Sequence, residues 1–251
     1  MRAGKKLSFL LAFCLPFVQT SPAIAKETAL QLDQTHSFMG RGLLTVSAKG
    51  VRLENKDKLK FILVAKAPDW RVTIYRNDDK TYFSESLKDF ESTGLFSGFV
   101  MLPPGKHLRS TGFTRSSFNF CGREVIRMTS RKTTLKYMPL GDVAPEVESI
   151  VYAAYKTPTN GGLPLMYVKV HGGKDYTTGA SQEGHLENII ATSKIETIED
   201  NPKLYTVPSG LKLAKSLGLV FAGSSVRKDS VDFQNLFDMK LPGGRKLNRL
   251  D

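Results

Sequence analysis

Hydrophobic and polar residues alternate with a period of two along much of the first half of the chain. Leu43 to Ala48 and Val51 to Glu54 carry this alternation on either side of Lys49-Gly50. Lys60 to Ala65 and Trp70 to Tyr75 repeat it around Ala67-Pro68-Asp69. Arg76 to Asp79 then reads as a turn, with Thr81-Tyr82-Phe83 returning as a strand. Side chains two apart share one face of a strand, so these runs predict a β-meander half-buried on one side. In the strand from Trp70, the residues Trp70, Val72 and Ile74 are expected on the core face, with Arg71, Thr73 and Tyr75 on the other.

The pattern changes after residue 84. Ser86 to Phe90 predicts a short helical turn capped by Ser84 or Ser86. The apolar run Phe96 to Leu102 stops at Pro103-Pro104-Gly105, and Pro103 to Ser117 predicts a long, arginine-bearing loop of lid type. Glu124 to Met128 and Thr133 to Tyr137 predict two strands. Pro145 to Tyr155 predicts a helix, with Pro145 at its first position, Asp142 as a nearby cap, and Val147, Ile150, Val151 and Ala154 as its apolar stripe. Leu163 to Val170 and Ser193 to Thr197 predict further strands, joined by a polar connection over Gly172 to Gly184. Leu211 to Leu217 is amphipathic, Gly218 to Gly223 is an apolar patch, and Val231 to Met239 predicts a short docking helix or strand.

Together these elements predict a mainly β, α+β fold: a curved antiparallel sheet or incomplete β-barrel packed against one or more helices. The Trp70 to Tyr75 strand, its charged turn, the Lys80 to Phe83 return and the late Tyr205 to Leu211 segment resemble the periplasmic lipoprotein-carrier type of curved half-barrel. That resemblance implies an incomplete barrel wrapped around helices, with acyl chains held in the concavity. It covers Leu43 to Phe90 and Lys194 to Leu211, and it assigns no functional residue. The long helix that carriers place before their first strand has no counterpart beyond Lys26 to Met39.

The amino end places the protein. Arg2, Lys5 and Lys6 precede an apolar run from Leu7 to Val18, and Ala23-Ile24-Ala25 supplies small residues for cleavage. This is the order of a secretory signal peptide over residues 1–25. A globular domain over residues 26–240 and a flexible basic tail over residues 241–251 are expected to follow. No later run reaches the roughly 20 apolar residues that a membrane-spanning helix requires. The expected location is the periplasm or the cell envelope.

Charge narrows the partners. The chain carries a net +12, and the signal segment accounts for three of those charges. The basic remainder favours anionic partners such as an envelope surface. The positives are dispersed rather than set on a recognition helix, so nucleic acid is not expected. Cys121, the one cysteine beyond the signal segment, is read as a buried thiol, with an intermolecular bridge or reactive thiol as its alternatives. The four histidines have no metal-ligand spacing, and there is no nucleophile elbow, Walker loop or dinucleotide fingerprint. An enzyme is therefore not the favoured reading, and nothing calls for a cofactor.

The expected function is an exported binding protein for a lipid, a lipid-modified protein or another anionic amphiphile. Its alternative is a structural or protein-interaction role in the envelope. Arg71, Tyr75, Lys80 and Tyr82 on the hairpin, with Arg109 and Arg115 on the loop, are the candidate ligand residues.

Overall fold

The computed structural model describes residues 27–57, 59–95, 105–174 and 181–226. The expected signal segment, the run Phe96 to Leu102, and the element and basic tail expected at Val231 to Met239 and 241–251 lie outside the described residues.

A 12-stranded sheet dominates the protein. Its first six strands form the expected meander: β1 (Thr28–His36), β2 (Gly40–Val46), β3 (Gly50–Asn55), β4 (Ile62–Lys66), β5 (Val72–Arg76) and β6 (Thr81–Glu85). The short helix α1 (Leu87–Thr93) follows, with Ser86 as the cap that accepts from the Asp89 N–H. A second meander comprises β7 (Thr114–Phe120), β8 (Arg123–Thr129) and β9 (Thr133–Pro139). Helix α2 (Pro145–Tyr155) leads into the long strands β10 (Gly162–Lys174) and β11 (Ser181–Glu199). A 3-10 turn at Pro202–Tyr205, the two-residue strand β12 (Lys212–Leu213) and helix α3 (Leu217–Val226) complete the described chain.

The strand order is β12-β6-β5-β4-β3-β2-β1-β11-β10-β9-β8-β7. Every pairing is antiparallel except β12 with β6. The sheet is not closed into a barrel: β7 and β12 are its two ends. One core cluster runs from Leu32, Leu44 and Leu53 through Ile74 to Met128, Leu135 and Tyr167, thus joining both meanders. The helices cover this core face. Helix α1 contributes Phe90, α2 contributes Val147, Ile150, Val151 and Ala154, and α3 contributes Val220 and Phe221. The Phe221 ring meets Phe61 edge to face at 5.3 Å.

Several elements differ from expectation for identifiable reasons. Lys26 to Met39 holds a strand, β1, whose Leu30 and Leu32 alternate with Gln31 and Asp33. The expected loop from Pro103 ends at Phe113, because β7 begins at Thr114 as an edge strand of mostly exposed residues. Strands β10 and β11 extend well into the connection expected over Gly172 to Gly184. Helix α2 has its expected bounds, but its cap is Ala144 and no side chain bonds there. The amphipathic stretch Leu211 to Leu217 carries β12 and the entry to α3.

Cys121 is exposed, which corrects its reading as a buried thiol. It shares the two-residue β7–β8 turn with Gly122, at φ 51° and 76° respectively. Positive φ at both central residues is what a type I′ hairpin requires, and such a turn projects its side chains into water.

Candidate functional site

The six candidate ligand residues fall into two groups at opposite ends of the strand order. Arg71, Tyr75, Lys80 and Tyr82 lie on or beside β5 and β6, whereas Arg115 is on β7 and Arg109 just precedes it. Arg71 is exposed and donates through Nε to the Ser84 hydroxyl at 3.0 Å. Lys80 is exposed in the β5–β6 turn.

Tyr75 is only 2% exposed. It does occupy the face opposite Ile74, as the period of two predicts. That face is not open at Tyr75, because the chain returns over it after β11. Ile62, Val64 and Tyr75 form a second apolar cluster beneath Tyr82, Val207 and Leu211. The Tyr75 hydroxyl accepts from Arg52 Nη1 at 3.1 Å, and the same nitrogen donates to the Leu204 carbonyl. Tyr75 therefore holds the returning segment in place, which corrects its reading as a ligand-facing residue, while Tyr82 is half-buried beside it.

The second meander supplies a different constellation. Residues 105–140 contain eight lysines and arginines against one acid, Glu124. The register sets Ser116 opposite Arg127, and Arg127 opposite Lys136, in one transverse row. Phe118, two residues along β7 from Ser116, shares their face. The Arg127 guanidinium lies 5.8 Å from the Phe118 ring centroid and Lys136 Nζ lies 5.6 Å from it. Arg127 Nε also donates to the Ser116 hydroxyl at 3.3 Å. Glu124 occupies the alternate position of β8, opposite Asn119, so β7, β8 and β9 place no carboxylate on the Phe118 face.

Beside this row is a hollow of about 110 Å³ lined by Phe118, Phe120, Val125, Lys136, Leu165, Met166, Ala191 and Thr192. Its position follows from the topology. Pairing of β10 with β11 stops at Met166 opposite Ala191, and β11 from Thr192 onward pairs with β1 alone. The β7–β8 hairpin leans across this gap, and Arg123 Nη2 donates to the Thr197 hydroxyl at 2.7 Å. An apolar recess thus sits next to an aromatic ring flanked by two cations. Such a set can hold a phosphate or carboxylate by charge-assisted hydrogen bonds while an attached apolar chain leaves water.

A larger cleft of about 390 Å³ lies between the β2–β3 turn, the β7–β8 turn and the loop entering α2. Leu30, Val46, Met138 and Val143 supply its apolar wall, with Arg123, Glu124 and Asp142 at its rim. The mixed charge of that rim does not select an anion. Among the described residues no group of three His, Cys, Asp or Glu side chains is placed to hold a metal ion.

Gln34, Tyr155 and Glu148 are paired in the interior. Tyr155 Oη donates to Gln34 Oε1 at 2.8 Å, and Gln34 Nε2 donates to the Pro164 carbonyl and the Thr192 hydroxyl, both at 2.9 Å. Burial raises the Tyr155 phenol far above its usual range. The buried Glu148 accepts from the Thr159 hydroxyl at 2.6 Å and the Gly161 N–H at 2.7 Å, with Lys106 Nζ at 3.4 Å. These groups tie α2 to the sheet and to the loop after it.

The sequence reading missed Phe118, Arg127 and Lys136. Their signal was the run of eight cations against one acid, interleaved with Phe113, Phe118 and Phe120. No family model matches the chain, and no curated protein matches it. A crystal structure of an uncharacterized conserved protein from Thermus thermophilus aligns over 75% of this chain and 90% of that one, at 11% identity and a TM-score of 0.37. Likeness at that level carries no assignment.

Proposed function

We propose that the protein is an exported, envelope-associated binding protein that engages an anionic amphiphile on the β7–β9 face. The observation that carries this reading is Phe118 flanked by Arg127 and Lys136 beside an apolar hollow. The amino-terminal sequence pattern supports export, and the basic charge favours an anionic partner. The open sheet is compatible with the lipoprotein-carrier type of half-barrel, and that resemblance belongs to this proposal. No helix among the described residues is long and apolar enough to cross a membrane.

The mode of binding differs from enclosure of a chain in the concavity. Pockets that envelop a ligand usually hold about 300 to 1,000 Å³, whereas the hollow holds about 110 Å³. It fits the end of a chain or one apolar substituent, with the charged group outside on Arg127 and Lys136. A second reading, an envelope interaction protein with no small-molecule ligand, draws support from the three helices that cover the core face.

Calorimetric titration with monomeric dodecyl phosphate, below its micelle concentration, tests the first reading. Saturable binding is expected, weakening about tenfold or more in Arg127→Gln and Lys136→Gln, since a charge-assisted hydrogen bond contributes roughly 1.5 to 3 kcal/mol. Phe118→Ser should weaken it as well. Absence of saturable binding, together with an unchanged native mass after incubation with envelope lipids, would sink the amphiphile reading in favour of the second.

A further inference from the structure

Strand β7 ends the sheet with an open edge. Among the described residues β8 is the one strand that pairs with it. Its seven residues hold unbroken register with β8, from Thr114 opposite Thr129 to Phe120 opposite Arg123. Edge strands are normally guarded by shortness, proline, a bulge or charges. The other end of the sheet follows that rule, because β12 has only two residues. Strand β7 has no proline and no bulge, and Arg115 is its one charge.

The register fixes which backbone groups face outward. The Cys121-Gly122 turn closes on Phe120 and Arg123, and residues that flank a two-residue hairpin turn exchange both their hydrogen bonds. Alternation gives Phe118, Ser116 and Thr114 the same role toward β8. Arg115, Ser117 and Asn119 therefore direct their N–H and C=O groups away from the sheet. Such a row is matched by the backbone of another extended chain.

The side chains along this edge are graded. At the Thr114 end Arg115 is exposed, Arg127 reaches across to the Ser116 hydroxyl, and the β8–β9 turn adds the exposed Arg131 and Lys132. At the Phe120 end Phe118 and Phe120 are half-buried on one face, while on the other Asn119 lies opposite Glu124, the one acid of this region. The geometry points to an extended segment of another protein that adds to β7 as a further strand, with carboxylates opposite Arg115 and Ser116 and apolar side chains beside Phe118 and Phe120. Backbone pairing supplies affinity, and the grading sets which way the segment lies. A second copy of this chain is a poorer match, since its β7 has no carboxylate to meet Arg115 and Arg127. The pairing rests on backbone groups that the amphiphile reading does not use, so the two stand or fall separately.

Fluorescence anisotropy of a labelled, end-capped heptapeptide, Val-Thr-Val-Thr-Glu-Glu-Thr, tests the proposal. In antiparallel pairing it sets its valines opposite Phe120 and Phe118 and its glutamates opposite Ser116 and Arg115. Saturable, salt-sensitive binding is expected. It should weaken about tenfold or more when both glutamates are replaced by lysine, and again when the peptide is N-methylated at the residues opposite Asn119, Ser117 and Arg115. Ser117→Pro removes one outward N–H and spares the β7–β8 hydrogen bonds, because proline is tolerated at an edge whose N–H faces solvent. That variant should bind the peptide about tenfold more weakly while keeping the wild-type unfolding midpoint. Equal binding of the N-methylated and parent peptides, or no saturable binding of either, overturns the proposal. So does a wild-type dimer in sedimentation velocity that Ser117→Pro converts to monomer, which would give the edge to a second copy. Dodecyl phosphate should titrate Ser117→Pro as it does wild type, which separates this result from the fate of the amphiphile reading.

Discussion

His36 makes the stability of the protein depend on pH in a way the structure sets. Its Nδ1 accepts from the backbone N–H groups of Phe38 at 3.2 Å and Met39 at 3.4 Å. Nε2 lies 3.2 Å from the Tyr155 carbonyl, so the ring is neutral with its proton on Nε2. A proton on Nδ1 would confront two N–H donors and lose both hydrogen bonds. Burial under the stacked Tyr155 ring, 5.6 Å away, lowers the imidazole pKa from 6.5 to about 4, against weaker upward pulls from the Tyr155 carbonyl and the Glu187 carboxylate. Because the folded value lies below the unfolded one, the unfolded chain binds the proton first as pH falls. Stability from this group is complete above about pH 6.5 and is lost progressively down to about pH 4. At about 1.4 kcal/mol per unit, the loss approaches roughly 3 kcal/mol. Urea unfolding at constant ionic strength, followed from about pH 7.5 to about pH 4.5, should show wild type losing about 2.5 kcal/mol more than His36→Gln. The variant starts lower because packing is lost, so the comparison rests on the slopes. Parallel profiles would show that His36 titrates in the folded protein as it does in the unfolded chain, and would refute the neutral, buried assignment.

Three further outcomes follow from contacts elsewhere. Tyr155→Phe leaves the buried Gln34 Oε1 without the donor it has at 2.8 Å, and denaturant unfolding should register a loss of about 1 to 3 kcal/mol. In Gly50→Ala the new Cβ would stand 2.6 Å from Cγ of Tyr205, so destabilisation on the order of 1 to 3 kcal/mol is expected, with Tyr205→Ala in the same chain relieving part of the clash. Cys121 should react to completion with a thiol reagent in native buffer; Cys121→Asn, which supplies the Asn-Gly pair that type I′ turns prefer, should raise the unfolding midpoint. Protection of the thiol until unfolding would contradict its exposed position.

The elements legible in the sequence are those whose burial has a single local cause. Strands β2 to β5 show the period of two because one face meets the core, and α2 shows its stripe because Val147, Ile150, Val151 and Ala154 all point inward. Strand β1 escaped because its core face changes chemistry midway, from Leu30 and Leu32 to Gln34 and His36. Those polar residues are buried only because Tyr155, Pro164 and Thr192 satisfy them from more than 100 positions away. Strand β7 escaped because an edge strand with little burial has no pattern to keep. Tyr75 was placed on the correct face, but the segment that covers it arrives after β11, a long-range event with no local trace. The basic-aromatic row is partly legible in composition. Its assembly needs the β7–β8–β9 register, which brings Phe118, Arg127 and Lys136 together across three strands.

The covered core face also bears on where binding takes place. For a lipid chain to lie there, α3 would have to leave, exposing Val220 and Phe221, which are 0% and 2% exposed. Loss of a buried phenylalanine alone costs about 4 kcal/mol, and the Arg76 bond to the Phe221 carbonyl would go with it. Each methylene buried in exchange returns about 0.8 kcal/mol, so roughly the first five methylenes of a chain would do no more than replace what the protein already has. Binding on the outside carries no such debt. Phe118 and Lys136 are half-buried and Arg127 is exposed, so these cations are available to an anion without unpacking the fold. The core face of this open sheet therefore serves stability, and the proposed amphiphile site lies outside it.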